Sequence, residues 1–100
     1  MLSFLPEVKN DTLNAYLWYE EKSKGLGEDF LRIFYTGAAE IARTPGLYPK
    51  IYKNFRRKLL KRFPYAVYFL VEKKMIIVYG LFHCVRNPYL IQEKINNRHS

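Results

Sequence analysis

Two consecutive apolar runs in the second half of the chain constrain its fold most strongly. Residues 65–71 and 75–82 are rich in β-branched and aromatic side chains, which favour strands, and only Glu72-Lys73-Lys74 separates them. Neither run alternates apolar with polar residues, so each strand is apolar on both faces. The pattern predicts two adjacent central strands of a sheet, joined as a hairpin.

A first helix is predicted near the N-terminus, after a short apolar segment at residues 2–8. Pro6 breaks that segment, which fits an edge strand better than a central one. Asn10 and Asp11 then offer side-chain oxygens that can cap a helix. Four residues follow at helical spacing, namely Leu13, Tyr16, Leu17 and Glu20. The Gly-Leu-Gly sequence at residues 25–27 is the expected end of this helix.

A second helix is clearer, because one apolar stripe keeps the i, i+3, i+4 spacing over several turns. The stripe consists of Phe30, Ile33, Phe34, Gly37, Ala38, Ile41 and Ala42. We expect it to be a plain core-facing surface that ends before Pro45-Gly46. A short third helix is expected from Tyr89 to about Asn96.

The order of elements predicts an α+β fold. Two N-terminal helices should pack on one face of a twisted, mainly antiparallel sheet of four or so strands, followed by a short C-terminal helix. One hundred residues with 49% hydrophobic composition are enough for one core, so residues 1–100 are predicted to form a single domain.

The net charge of +8 is concentrated in one segment. Between residues 50 and 62 there is no acidic residue and there are seven basic ones, which are Lys50, Lys53, Arg56, Arg57, Lys58, Lys61 and Arg62. Such a segment suits an acidic or polyanionic partner. The structural alternative is an edge strand that uses charge to prevent pairing with other sheets. Apolar residues within the run, among them Tyr52, Phe55 and Leu60, favour a folded strand over a disordered tail.

The composition excludes several classes of protein. Cys84 is the only cysteine, so neither an internal disulfide nor a cysteine-rich zinc site can form, and no metal or other cofactor is expected. No apolar run has the length of a membrane span, and the first residues do not resemble a signal peptide. A cytoplasmic protein without a membrane partner is therefore expected.

A second cluster of reactive side chains follows the last predicted strand. His83 could act as an acid or base near neutral pH, Arg86 could bind a phosphate or carboxylate, and Tyr89 could donate a hydrogen bond or stack. Each also has a structural interpretation, such as a strand-end histidine or a turn that starts a helix. No glycine loop for phosphate is present, and Cys84 next to His83 would point to the opposite face of a strand.

Five short motifs occur in an order that resembles the RelE/ParE toxins of bacterial type II toxin–antitoxin, or plasmid stabilisation, modules. They are Trp18-Tyr19-Glu20, the segment 25–30, the segment 41–45, Arg62-Phe63-Pro64-Tyr65 and the segment 83–88. The resemblance spans nearly the whole chain. It implies two helices on a twisted antiparallel sheet, and a toxin that is neutralised by a cognate antitoxin protein.

The resemblance leaves three functions open. ParE-like members bind DNA gyrase without hydrolytic chemistry, whereas RelE-like members are metal-independent ribonucleases that cleave messenger RNA on the ribosome. The position after Tyr65 is Ala66, where RelE-type ribonucleases tend to have arginine, and the motifs look closer to ParE. We therefore expect a gyrase-binding toxin, with a ribonuclease as the alternative and a decayed, non-toxic binding module as the third possibility.

The sequence also predicts where the target binds. We expect one contiguous target-binding surface formed by Arg56, Arg57, Lys58, Lys61, Arg62, Tyr65, His83, Arg86 and Tyr89. If the protein is a ribonuclease, we expect its catalytic residues to be Arg62, Tyr65, His83, Arg86 and Tyr89.

Overall fold

The computed structural model describes all residues, from Met1 to Ser100. It contains three α-helices, α1 (Pro6–Lys22), α2 (Leu26–Arg43) and α3 (Pro88–His99), and a 3-10 turn at Pro45–Leu47. Five strands form one sheet, β1 (Leu2–Phe4), β2 (Lys50–Tyr52), β3 (Phe55–Leu59), β4 (Tyr65–Glu72) and β5 (Met75–His83). The predicted α+β fold with two N-terminal helices and a C-terminal helix is confirmed.

The strands lie in the order β1-β5-β4-β3-β2. All neighbouring pairs are antiparallel except β1 and β5, which run parallel. The predicted central hairpin is confirmed, with β4 and β5 joined by a turn at Lys73-Lys74. One irregularity in β5 lets both Tyr79 and Gly80 face the same side, since Tyr68 pairs with Gly80 and Phe69 with Val78.

Both faces of the sheet are covered. On one face, α1 and α2 pack over side chains that include Val67, Phe69 and Val78. On the other face, α3 inserts Ile91 and Ile95 among Tyr68, Tyr79 and Phe82. This double cover explains why β4 and β5 are apolar on both sides.

The first helix differs from the prediction in its start and in its buried face. It begins at Pro6, which suits a first helical position, so Asn10 and Asp11 lie inside the helix and do not cap it. Its buried residues are Val8, Thr12, Ala15 and Tyr19. The four residues at helical spacing do not mark this buried face, because Leu13 and Leu17 are about half exposed, at 47% and 50%. The buried Tyr19 ring stacks on Phe30 of α2, with ring centroids 5.4 Å apart.

The connection between the helices also needs correction. Three residues, Ser23 to Gly25, separate them, Gly25 has a left-handed backbone at φ 89°, and Leu26 and Gly27 already belong to α2. Glu20 accepts hydrogen bonds from the backbone N–H groups of Gly25 and Gly27 at 3.0–3.1 Å. The carboxylate therefore satisfies the free N–H groups at the start of α2.

The remaining elements follow the prediction with small changes. On α2, Phe30, Phe34 and Ile41 are buried as expected, while Ala42 at the end of the stripe is exposed. The third helix is longer than expected and runs to His99. None of the three helices combines the length and apolar character that a membrane span requires.

Candidate functional site

The nine residues predicted to bind the target do not share one face of the sheet, because the three basic residues of β3 point to both faces. Along β3, Arg57 pairs with Tyr68, whose side chain faces α3, whereas Arg56 and Lys58 pair with Phe69 and Val67, which face α1 and α2. Consecutive strand residues point to opposite faces, so the basic run is divided by the strand itself.

The basic residues on the face under α1 and α2 bond to other groups of the protein. Arg56 Nη1 donates to the backbone oxygen of Tyr48 at 2.6 Å. Lys58 Nζ lies 3.1 Å from Glu40 Oε1, and only 12% of the Lys58 side chain is exposed. The hydrogen bond and the charge of Lys58 lower the pKa of the Glu40 carboxyl below its ordinary value. Lys58 thus joins β3 to α2.

Arg57 and Arg86 both line a pocket of about 170 Å³ between the sheet and α3. Tyr68 and Cys84 also line it, as does Gln92 of α3. Two guanidinium groups with a phenol and an amide can bind a phosphate or a carboxylate. Arg57 and Arg86 are therefore two predicted target-binding cations that line one concave site.

Tyr65 and His83 line a second, larger cleft, of about 420 Å³, between α1 and the end of β5, and Arg86 borders this cleft too. The Tyr65 and His83 rings are 5.0 Å apart. His83 Nδ1 accepts a hydrogen bond from the Val85 N–H at 3.2 Å, which leaves Nε2 to meet a ligand. Burial raises the pKa of the Tyr65 phenol, so it stays protonated at neutral pH.

The other three predicted residues lie outside both cavities. Arg62 extends toward Asp29 at the start of α2, with an N–O distance of 3.7 Å, and its guanidinium lies over the Phe63 ring. Lys61 borders a small hollow against α2. Tyr89 is in the first turn of α3 and is 78% exposed. The five residues named for a ribonuclease therefore do not meet at one point.

The sequence did not predict the ion pair that joins α1 to α3. Asp11 of α1 and Arg98 of α3 form a two-point ion pair with N–O distances of 2.8 and 3.1 Å. Asp11 also accepts from the Leu81 N–H, and Arg98 donates to the Tyr79 carbonyl oxygen. The pair thereby supplies hydrogen-bond partners for backbone groups of β5 that lie beyond its pairing with the short β1. A separation of 87 positions gives no local sequence signal for it.

Two further residues at the cavities were not predicted. Trp18, 53% exposed, forms one wall of the larger cleft, and Lys22 lies over its ring. Tyr68 belongs to a strand that reads as plain core, yet it lines the smaller pocket. No group of three or more His, Cys, Asp or Glu side chains is arranged to hold a metal ion.

Comparison with known proteins identifies the fold. No protein-family model matches the sequence, and no curated protein does. Among solved structures, the chain is similar to one in the chromosomal ParDE TA system from P. aeruginosa, with a TM-score of 0.63 and 17% identity. The match covers 82% of this chain and 92% of that one. The chain therefore shares its fold with a chain of a ParDE system, in agreement with the fold that the resemblance implied.

Proposed function

We propose that this chain is the toxin of a type II toxin–antitoxin module, a ParE-like protein that inhibits growth by binding DNA gyrase. The observation that carries the proposal is the shared fold with a chain of the ParDE TA system over 92% of that chain. The order of the five sequence motifs supports the same assignment. The toxin acts in the cytoplasm, where its target lies.

The arrangement of the polar residues favours a binding protein over an enzyme. Rapid cleavage of RNA needs cations and an acid or base around one phosphate. Here Tyr65, His83 and Arg86 share a cleft, but Arg62 pairs with Asp29 and Tyr89 stands apart on α3. Ala66, at the position after Tyr65, is buried and supplies no charge.

The partner that neutralises the toxin is a cognate antitoxin with an acidic, amphipathic segment. Val85 is 84% exposed at the rim of the larger cleft, and Trp18 forms its wall, so apolar anchors are available there. Arg86 at the same rim is a partner for a carboxylate. Such a segment would order as it binds.

A RelE-like messenger RNA endoribonuclease is the second candidate, because Arg86 borders both cavities. A phosphate between Arg57 and Arg86 would lie near the cleft that holds His83. The arginines would stabilise charge on the phosphate, and His83 would move a proton. This chemistry would depend on Arg57 in addition to the residues expected from the sequence.

Expression of the chain alone in a bacterial host tests the proposal. Growth arrest with intact messenger RNA, filamentation and a DNA-damage response is expected, together with inhibition of purified gyrase by the purified protein. Arrest with rapid loss of messenger RNA would establish the ribonuclease instead. Unimpaired growth would favour a decayed, non-toxic module.

Paired variants locate the target-binding surface. Arg57→Ala with Arg62→Ala should weaken toxicity and leave the fold intact, since charges at the surface contribute little to stability. Arg32→Ala with Arg43→Ala removes the same charge from α2 and should leave toxicity unchanged. Equal loss in both pairs would show that net charge, rather than this surface, carries the effect.

A further inference from the structure

The molecule is electrically divided into two parts. Residues 1–44, which contain α1 and α2, hold 5 of the 17 basic and 7 of the 9 acidic residues, a net charge of −2. Residues 45–100, which contain β2 to β5 and α3, hold the other 12 basic and 2 acidic residues, a net charge of +10. A polyanion would therefore meet the sheet and α3 rather than the helical hairpin.

Within the basic part, two hairpin turns lie side by side at one end of the sheet. The β2–β3 turn contains Lys53, the β4–β5 turn contains Lys73 and Lys74, and the pairing of β3 with β4 makes the two turns neighbours. Lys50 shares a hollow of about 520 Å³ with Lys53. We call Lys50, Lys53, Lys73 and Lys74 the hairpin-end lysines.

The hairpin-end lysines are exposed, and none of them forms an ion pair. Arg56 and His99 also line the hollow, and Glu72 is the one carboxylate there. Lys53 Nζ makes a 3.3 Å hydrogen bond to Asn96 Oδ1 at the surface. Four ammonium groups without an ion-pair partner thus outnumber a single carboxylate at this end of the sheet.

The backbone shows that the fold itself does not require lysine in these turns. Lys53 and Lys73 have φ values of 51° and 55°, in the left-handed region that favours glycine or asparagine. Lysine there costs stability, so its charge needs another explanation. Protection of a sheet edge explains Lys50 on the outer strand β2, but not Lys73 and Lys74 between two central strands.

We propose that the hairpin-end lysines bind the phosphodiester backbone of duplex DNA. Binders of single strands combine basic residues with exposed aromatic rings for stacking. The exposed aromatic residues here are Phe4, Trp18, Tyr35 and Tyr89, and none lies in these turns or in the strands that flank them. An acidic amphipathic protein segment is disfavoured because the apolar residues beside these turns, Ile51, Val71 and Met75, are only 37–41% exposed. The more exposed anchors, Val85 and Tyr89, lie beyond the opposite end of β5.

The expected binding is weak, independent of base sequence and strongly dependent on salt. Neutralising about four phosphates gives a slope of log K against log salt of roughly −3.6. The affinity should therefore fall about a hundredfold between 50 and 200 mM salt. This DNA binding goes beyond the proposed function and does not depend on gyrase as the target.

Fluorescence anisotropy with a labelled 20-base-pair duplex tests the proposal. The double variant K53G/K73G should fold at least as stably as the parent chain, because glycine is favoured at both positions. It should bind duplex DNA about tenfold or more weakly at 50 mM salt, with a slope shallower by about 1.8. The double variant K22Q/K24Q removes the same charge next to α1 and should change little.

Three results would overturn the proposal. Equal loss of affinity in K53G/K73G and K22Q/K24Q would assign binding to net charge alone. Tighter binding of a single-stranded RNA of the same length would assign the surface to single strands. If K53G/K73G bound DNA with unchanged affinity but bound poly-L-glutamate more weakly than the parent chain does, the partner would be an acidic protein. No gyrase is present, so failure of the gyrase assays leaves this test intact.

Discussion

The two faces of the sheet are covered in different ways. The face under α1 and α2 has a core cluster of 13 buried residues, whereas the face under α3 has one of 8. The smaller face gains polar ties, since Arg98 binds Asp11 and Asn96 donates to the Tyr52 hydroxyl at 2.7 Å. Apolar burial therefore dominates the stability of one face, while the other depends more on a few specific bonds.

The largest effect on stability should come from the core of the face under α1 and α2. Phe34→Ala should lower the free energy of unfolding by about 3–5 kcal/mol, because the ring is 1% exposed and its loss leaves a cavity. Urea unfolding followed by circular dichroism measures this. Leu17→Ala on the outer side of α1 is the control and should cost roughly 0.5 kcal/mol or less. A large loss of stability in Leu17→Ala would show that Leu17 contributes to the core although it is half exposed.

The next effect concerns the α3 face. Asp11→Ala should cost about 3 kcal/mol, since it leaves the Arg98 guanidinium without its partner while both side chains are only 12–13% exposed. Adding Arg98→Met to that variant should cost much less than the sum of the two single changes. Additive costs would mean that the ion pair does not couple α1 to α3.

A smaller effect should follow from overpacking the same face. At Gly80, an added Cβ would lie 2.4 Å from the Phe82 ring and 2.8 Å from Arg98 Nη1. Gly80→Ala should therefore cost about 1–3 kcal/mol in thermal or urea unfolding. Gly46→Ala, where nothing lies within 4 Å, is the matched control and should be close to neutral. A neutral Gly80→Ala would show that α3 can shift freely.

The smallest effect should be the pH dependence of stability that arises from the Lys58–Glu40 pair on the face under α1 and α2. Lys58 holds the pKa of Glu40 below its usual 4.5, so this pair stabilises the fold above pH 4.5 and loses that contribution as the pH falls through the lowered pKa. Glu40→Gln should flatten the fall of stability below pH 4.5 in urea unfolding at several pH values. An unchanged pH profile would show that the pair contributes nothing to folding.

Much of the fold followed from local patterns. The β4–β5 hairpin and the buried stripe of α2 were predictable, because long apolar runs and 3.6-residue spacing report directly on strand and helix faces. The face of α1 was not, since its leucines at 13 and 17 point outward while Thr12 and Ala15 are buried. Which residues of a weakly amphipathic helix are buried depends on its neighbours, here Phe30 and Phe63 around Tyr19.

The candidate site was predictable only in its composition. The sequence indicated Tyr65, His83 and Arg86 as neighbours, and all three line one cleft. It treated the basic run as one surface, yet strand alternation directs Arg57 toward α3 and Lys58 toward Glu40 of α2. Pairing partners far apart in the chain determine which way each side chain faces, and local spacing carries no information about them.

The sequence by itself determined the α+β fold, the central hairpin and the concentration of positive charge after residue 44, because composition and periodicity are local properties. Only the tertiary structure decided that Asp11 binds Arg98 across the edge of β5, and that Arg57 and Arg86 line the same pocket under α3. It also placed Lys53 and Lys73 in strained neighbouring turns. These arrangements depend on strand register and on the docking of α3, which arise only when distant segments pack together.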